Sequence, residues 1–174
     1  EVTGFGPMRK HYDFWGKNVS IPGIGGPILM AQPFTIEADL VLDSATASGV
    51  VLAVGSRFGG WSLYLDEGRP AFTWSMSTDP QEITTVVSDK ARPAGKSTLR
   101  LNFATGRPGS PADVTLFSGG EDLAKVKVPM NFLMPAGNGE LLDIGRDIGV
   151  PVTDYKTPLG EIEGDIPHVR VDFP

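Results

Sequence analysis

The chain is predicted to be all-β, a single antiparallel β-sandwich with few or no helices, and three observations carry that prediction. Glycine and proline are abundant, 22 and 15 of 174 residues, which implies many turns. Apolar and polar residues alternate with period two in segment after segment, as half-buried strands require. No window shows the 3.6-residue apolar stripe of a helix. The 40% hydrophobic content separates the chain from Gly/Pro-rich disorder, and its length suits one domain around one core.

The strands follow in order. Across 34–42 the even positions Phe34, Ile36, Ala38, Leu40 and Leu42 are apolar, predicting a half-buried strand. Between Gly49 and Gly55 the run Val50, Val51, Leu52, Ala53, Val54 is apolar throughout, as in a central strand covered on both faces. Residues 61–65 and 71–76 flank the turn chemistry of Asp66-Glu67-Gly68-Arg69 and form a hairpin. Phe72, Trp74 and Met76 share one face there, which marks Trp74 as core. Leu99, Leu101 and Phe103 point inward from a strand over 97–103, and 105–111 is a loop rich in Gly and Pro. Residues 113–117 and 123–128 pair across a turn at 118–122. Short strands are expected at 140–144 and 160–165, and Val169, Val171 and Phe173 close the chain as a terminal strand. About ten to twelve short strands with turns between them are the pattern of a β-sandwich.

Composition excludes several functions. A net charge of −6 gives no footprint for nucleic acid. The longest apolar run, 50–54, is far below a membrane-spanning helix. Cys 0 removes disulfides, cysteine nucleophiles and thiolate metal sites, without fixing a compartment. The two histidines, His11 and His168, lie near opposite ends of the sequence and outside any nucleophile motif, so they read as surface or strand-end imidazoles. The Gly23-Ile24-Gly25-Gly26 stretch is followed by Pro27 rather than a helix, so it is not a phosphate loop.

Other side chains carry candidate chemistry. Glu161, Glu163 and Asp165 would project from one strand face about 6.5–7 Å apart, a separation that glycosidases use. No Trp or Tyr lies within five residues of them, which favours a solvated strand face. In Asp143-Ile144-Gly145-Arg146-Asp147 two carboxylates and a guanidinium suit a loop-locking ion pair better than a Ca²⁺ site, which wants more oxygen ligands. Trp61 and Tyr64 follow Gly59-Gly60, where missing side chains would let a ligand or another domain approach.

From Ser56 through Pro70 (Ser-Arg-Phe-Gly-Gly-Trp-Ser-Leu-Tyr-Leu-Asp-Glu-Gly-Arg-Pro) the chain resembles the C-terminal region of bacterial arylsulfatases. The resemblance continues through Pro93-Ala94-Gly95-Lys96 and the strand that follows. It extends to Asp143-Ile144-Gly145-Arg146-Asp147-Ile148-Gly149-Val150-Pro151-Val152, where Ile148 replaces the family's usual Thr. Ser56 for Gly and a compact 104–111 loop are further departures. The resemblance implies a concanavalin A-like, LamG-like jelly-roll, with residues 1–22 as lead-in segment and first strand and 23–174 as the sandwich. It implies a non-catalytic accessory domain packing against an upstream sulfatase catalytic domain and shaping substrate access, with a small-molecule or sugar sulfate as a further expected partner. Arg57, Gly59, Gly60, Trp61, Tyr64, Asp143, Arg146 and Asp147 are then the domain-contact or ligand candidates.

The Cys/Ser-x-Pro-x-Arg formylglycine motif is absent from the sequence. Ser20-Ile21-Pro22-Gly23-Ile24 has Ile in place of Arg. The chain itself is therefore expected to be no enzyme and to hold no metal or cofactor, with Ca²⁺ belonging to the catalytic domain. A start at Glu1 in ordinary sequence fits an excised piece, from a bacterial cytoplasmic, periplasmic or secreted protein. A carbohydrate-binding, lectin-like module is the alternative reading, and a sandwich-type glycosidase a third.

Overall fold

The computed structural model describes residues 2–3, 6–7, 9–22, 25–131 and 141–174. The Gly23-Ile24 pair and Glu140, both read in the sequence, lie outside the described residues. In chain order the strands are β1 (Val2–Thr3), β2 (Gly6–Pro7), β3 (His11–Trp15), β4 (Val19–Pro22), β5 (Phe34–Leu42), β6 (Gly49–Ser56) and β7 (Gly59–Asp66). They continue as β8 (Arg69–Ser75), β9 (Ile83–Val87), β10 (Gly95–Thr105), β11 (Ala112–Ser118), β12 (Glu121–Val128), β13 (Leu141–Ile144) and β14 (Gly164–Asp172). Strands β1 and β2 pair with each other, and the other twelve form two antiparallel six-stranded sheets, ordered β12-β11-β10-β5-β14-β3 and β4-β13-β6-β7-β8-β9. The predicted antiparallel sandwich is present.

Strand β5 shows why the sheets pack. Its even residues are buried and its odd ones half-exposed along the whole length, so one face enters the core and the other stays outside. Strand β10 lies in register beside it, placing Leu99, Leu101 and Phe103 next to Ala38, Ile36 and Phe34. The opposite sheet answers with Trp61, Leu63 and Leu65 from β7 and with Phe72 and Trp74 from β8. The Phe34 ring stacks on Phe103 at 4.8 Å and on Trp61 at 5.7 Å. Full burial would strand the Trp61 indole N–H, but it donates to the Leu29 carbonyl at 2.8 Å.

Strand β6 is buried on both faces, as its continuous apolar run predicts. Its pairing with β7 skips Val51 between Val50 and Leu52, a bulge that turns Val51 and Leu52 together toward the main core. Val50 and Ala53 face the other way and join Tyr64 and Ala71 in a second, smaller core on the outside of the sheet.

Several regions differ from the alternation reading. Residues 160–165 do not form a strand of their own: 158–160 is a single 3₁₀ turn, and β14 begins only at Gly164. The sheet strands β3, β4 and β9 also fall outside the strands read from alternation. Each lies at a sheet edge, where one apolar face partners only one neighbour and the pattern is weak.

Candidate functional site

The outer faces of the two sheets are very different. On the second sheet, Ser20, Asp143, Ala53, Ser62, Thr73 and Thr85 form one continuous cross-strand row from β4 to β9. The segment between β13 and β14 folds over part of this row. Main-chain bonds lace it down: Gly145 N to Val51 O, Asp147 N to Leu159 O and Ile162 N to Gly145 O. Tyr155 then drops onto Tyr64 edge to face, with ring centres 5.4 Å apart.

Most residues proposed from the 56–70 and 143–152 motifs meet at this cover. The Arg57 side chain donates from Nε to the Pro151 carbonyl at 3.2 Å and from Nη2 to Asp154 at 3.3 Å. Tyr64 is buried and its hydroxyl bonds Thr73 Oγ1 at 2.9 Å, which in turn bonds Thr85 at 2.9 Å. The Asp143 carboxylate accepts from the Ile148 N–H, and Asp147 accepts from the Val152 N–H, each at 2.8 Å. Both carboxylates are almost fully buried, while Arg146 is half-buried. Carboxylate-to-backbone bonds thus lock the loop, and the Arg146 guanidinium adds an electrostatic attraction to Asp143. Burial raises the Asp143 carboxyl above its ordinary value, against the opposing pull of Ser20, the Ile148 N–H and Arg146. Burial likewise raises the phenols of Tyr64 and Tyr155.

Gly59, Gly60 and Trp61 lie apart from that cover. A Cβ on Gly60 would come within 2.3 Å of the Val54 carbonyl of the neighbouring strand, so its bareness serves the β6–β7 hairpin. The Trp61 indole is enclosed in the sandwich interior. The carboxylate trio does not share a strand face. Glu161 and Glu163 precede β14, and the Glu163 carboxylate accepts the Ser48 N–H at 3.0 Å. Among the described residues, no three His, Asp or Glu side chains come together to hold a metal ion.

The outer face of the first sheet is open, and the sequence reading missed it. Strand β3 alternates exposed His11, Asp13 and Trp15 with half-buried Tyr12 and Phe14 that pack on the core. It pairs with β14, so the two ends of the sequence lie side by side, with His168 opposite Trp15, Arg170 opposite Asp13, and Asp172 opposite His11. On the other side of β14, His168 faces Asp39 and Arg170 faces Glu37. Histidines far apart in sequence therefore occupy one surface.

The geometry there is well defined. The Trp15 indole, 73% exposed, stacks on the His168 ring with centres 4.3 Å apart and planes 23° from parallel. His168 Nε2 bonds Asp13 at 2.7 Å, and its Nδ1 is 3.9 Å from Asp39. Arg170 Nε reaches both oxygens of Asp172, at 3.0 and 2.8 Å, and His11 bonds the same carboxylate. Next to the stack, β14 bulges between Asp165 and His168, where Pro167 cannot donate to the ladder. A groove of about 460 Å³ lies at this bulge, bordered by Asp39, Leu40, Val41, Lys96, Ser97, Thr98 and Pro167. A signal was available in the sequence: the exposed members of the alternations at 11–15 and 168–172 are His, Asp, Trp and Arg, groups that bind ligands.

No protein-family model and no curated protein matches the chain. Solved structures do match. The CBM40 domain of the Ruminococcus gnavus IT-sialidase bound to α2,3-sialyllactose is 18% identical, with TM-score 0.65, over 92% of this chain and 91% of that one. The LG1–3 region of the laminin α2 chain is 13% identical, with TM-score 0.57, over 92% of this chain and 30% of that one. Domains LG4–5 of the mouse laminin α1 chain are 17% identical, with TM-score 0.53, over 97% of this chain and 43% of that one. The chain therefore has the fold of concanavalin A-like, LamG-like β-sandwich domains, and these likenesses do not link it to sulfatases.

Proposed function

We propose that the chain is a non-catalytic carbohydrate-binding module that seats a saccharide on the open face of the first sheet. The stacked pair of Trp15 and His168 carries this reading. An indole that exposed has no packing role large enough to explain it, and its free face suits the C–H face of a sugar ring. The imidazole beneath it, held by Asp13, fixes the ring orientation before a ligand arrives, which lowers the entropic cost of binding. The adjoining groove supplies what a sugar needs around such a platform: a carboxylate acceptor in Asp39, an ammonium donor in Lys96 and the Thr98 hydroxyl. The sialyllactose-bound CBM40 domain supports the reading at the level of fold.

The accessory-domain reading, in which an arylsulfatase-like enzyme holds this sandwich against its catalytic domain, has less to stand on. Trp61, Asp143 and Asp147 are enclosed by the chain itself and offer little surface to a second domain.

A glycan array followed by calorimetry on the best binder tests the proposal. Saturable binding is expected, with Trp15→Ala weakening it about tenfold or more while leaving thermal stability nearly unchanged. Absence of saturable binding to any glycan, or full binding by the Trp15→Ala variant, would overturn it.

A further inference from the structure

We infer that this face selects uncharged saccharides and rejects acidic ones, an inference that rests on the carbohydrate-binding reading and goes on to the ligand's chemical class. An acidic sugar is ordinarily held by an arginine fork that meets its carboxylate or sulfate with two parallel bonds. Two arginines stand on this face, and each is ion-paired through its Nε to a carboxylate of the sheet. Arg170 Nε is taken up by the two oxygens of Asp172. Arg100 Nε lies 3.0 Å from Glu37, and its guanidinium sits over the Phe117 ring at 4.8 Å. Turning Arg170 to a ligand would leave Asp172 with His11 alone, and turning Arg100 would part it from Glu37.

Around the platform itself the charge is of the wrong sign for an anion. Asp13 and Asp39 approach His168 from its two ring nitrogens, so a ligand resting on Trp15 has a carboxylate to either side of the ring below it. Both carboxylates are about half-exposed, 44% and 49%, and retain oxygen lone pairs that reach solvent. Thr98 donates only a long 3.4 Å bond to Asp39. Lys96 is the one cation among the residues that border the groove. Sugar hydroxyls are good donors to such carboxylates, whereas a ligand carboxylate or sulfate meets like charge at close range, where solvent screens it less than in bulk water. The fold is that of a domain seen with a sialylated ligand, but the charge arrangement on this face calls for an uncharged one.

Matched glycan pairs test this: lactose against 3′-sialyllactose, and an uncharged glucan against its sulfated counterpart. The uncharged member of each pair is expected to bind about tenfold tighter or better. Raising the salt concentration should narrow that gap in the wild-type protein, a readout that needs no variant to fold. The Asp13→Asn/Asp39→Asn double variant should narrow it further by admitting the acidic member. Equal or tighter binding of the acidic member, or a gap indifferent to salt, overturns the selectivity and leaves carbohydrate binding in place. Binding of neither member on a full array overturns the carbohydrate reading itself, and the selectivity with it.

Discussion

The Tyr155 hydroxyl donates to the Asp147 carboxylate at 2.5 Å while lying 2.9 Å from the Ser62 hydroxyl. A phenol has one proton to give and the carboxylate takes it, so Ser62 donates to the phenol oxygen. A chain of bonds thus runs from the β13–β14 segment onto the outer face of the second sheet, in a place shielded from water. It explains how a long loop with little regular structure becomes part of the folded body.

Replacing Tyr155 with Phe keeps the ring against Tyr64 and removes only the hydroxyl. The loss should be about 1–3 kcal/mol, the cost of weakening a buried charge-assisted bond. Urea denaturation at neutral pH measures it. Glycan binding should be untouched, because the altered site lies on the opposite sheet. A cost within a few tenths of a kcal/mol would show that the cover is held by its backbone bonds alone.

The architecture was legible where alternation is strong and local. Strands β5, β10 and the β7–β8 hairpin declare themselves because Leu, Ile, Phe and Trp recur at every second position and Gly-containing turns separate them. The open face was not legible, for a physical reason: it is made by pairing residues 11–15 with 168–172, and no local pattern reports which strands meet. The tryptophans show the same limit. Trp61 beside two glycines looks approachable in the sequence, yet Gly60 lets the β6–β7 backbones approach each other, and the indole turns inward. Trp15 on an edge strand is the one left outside. The loop motif at 143–147 was recognised as a lock, but its mechanism depends on Tyr155 and on backbone donors that a spacing rule does not encode.

Glycines with the same backbone sign should respond unequally to alanine. Gly120, at φ +83°, turns the β11–β12 hairpin in open space, so Gly120→Ala costs only the left-handed conformation, about 1–2 kcal/mol. Gly145, at φ +84°, would put a Cβ 2.3 Å from the Lys17 carbonyl. Backbone must then move at the root of the loop that carries Asp143 and Asp147, so Gly145→Ala should cost roughly 3 kcal/mol or more. Thermal melts of the two variants side by side decide it. Equal losses would mean that the close approach at Lys17 relaxes freely.

Alkaline pH should destabilise the fold through two particular phenols. Burial raises the ionisation of Tyr64 and Tyr155 above the ordinary value of 10.0, and the neighbouring Asp147 adds to the effect at Tyr155. Below that value both phenols are protonated in the folded and the unfolded chain alike, and they contribute no pH dependence. Above it the unfolded chain releases these protons and the folded one keeps them. The native state then binds more protons than the unfolded state, so stability falls as pH rises. The limiting slope is about 1.4 kcal/mol per pH unit for each phenol held neutral. Urea midpoints measured on either side of pH 10 should show that fall, and the tyrosinate absorbance of these two residues should emerge together with unfolding. Tyr155→Phe, although less stable at neutral pH, should show a shallower alkaline slope than the wild type. An unchanged slope would place the alkaline sensitivity elsewhere in the chain, and ionisation of both phenols in the intact fold would mean that the loop opens before the sandwich does.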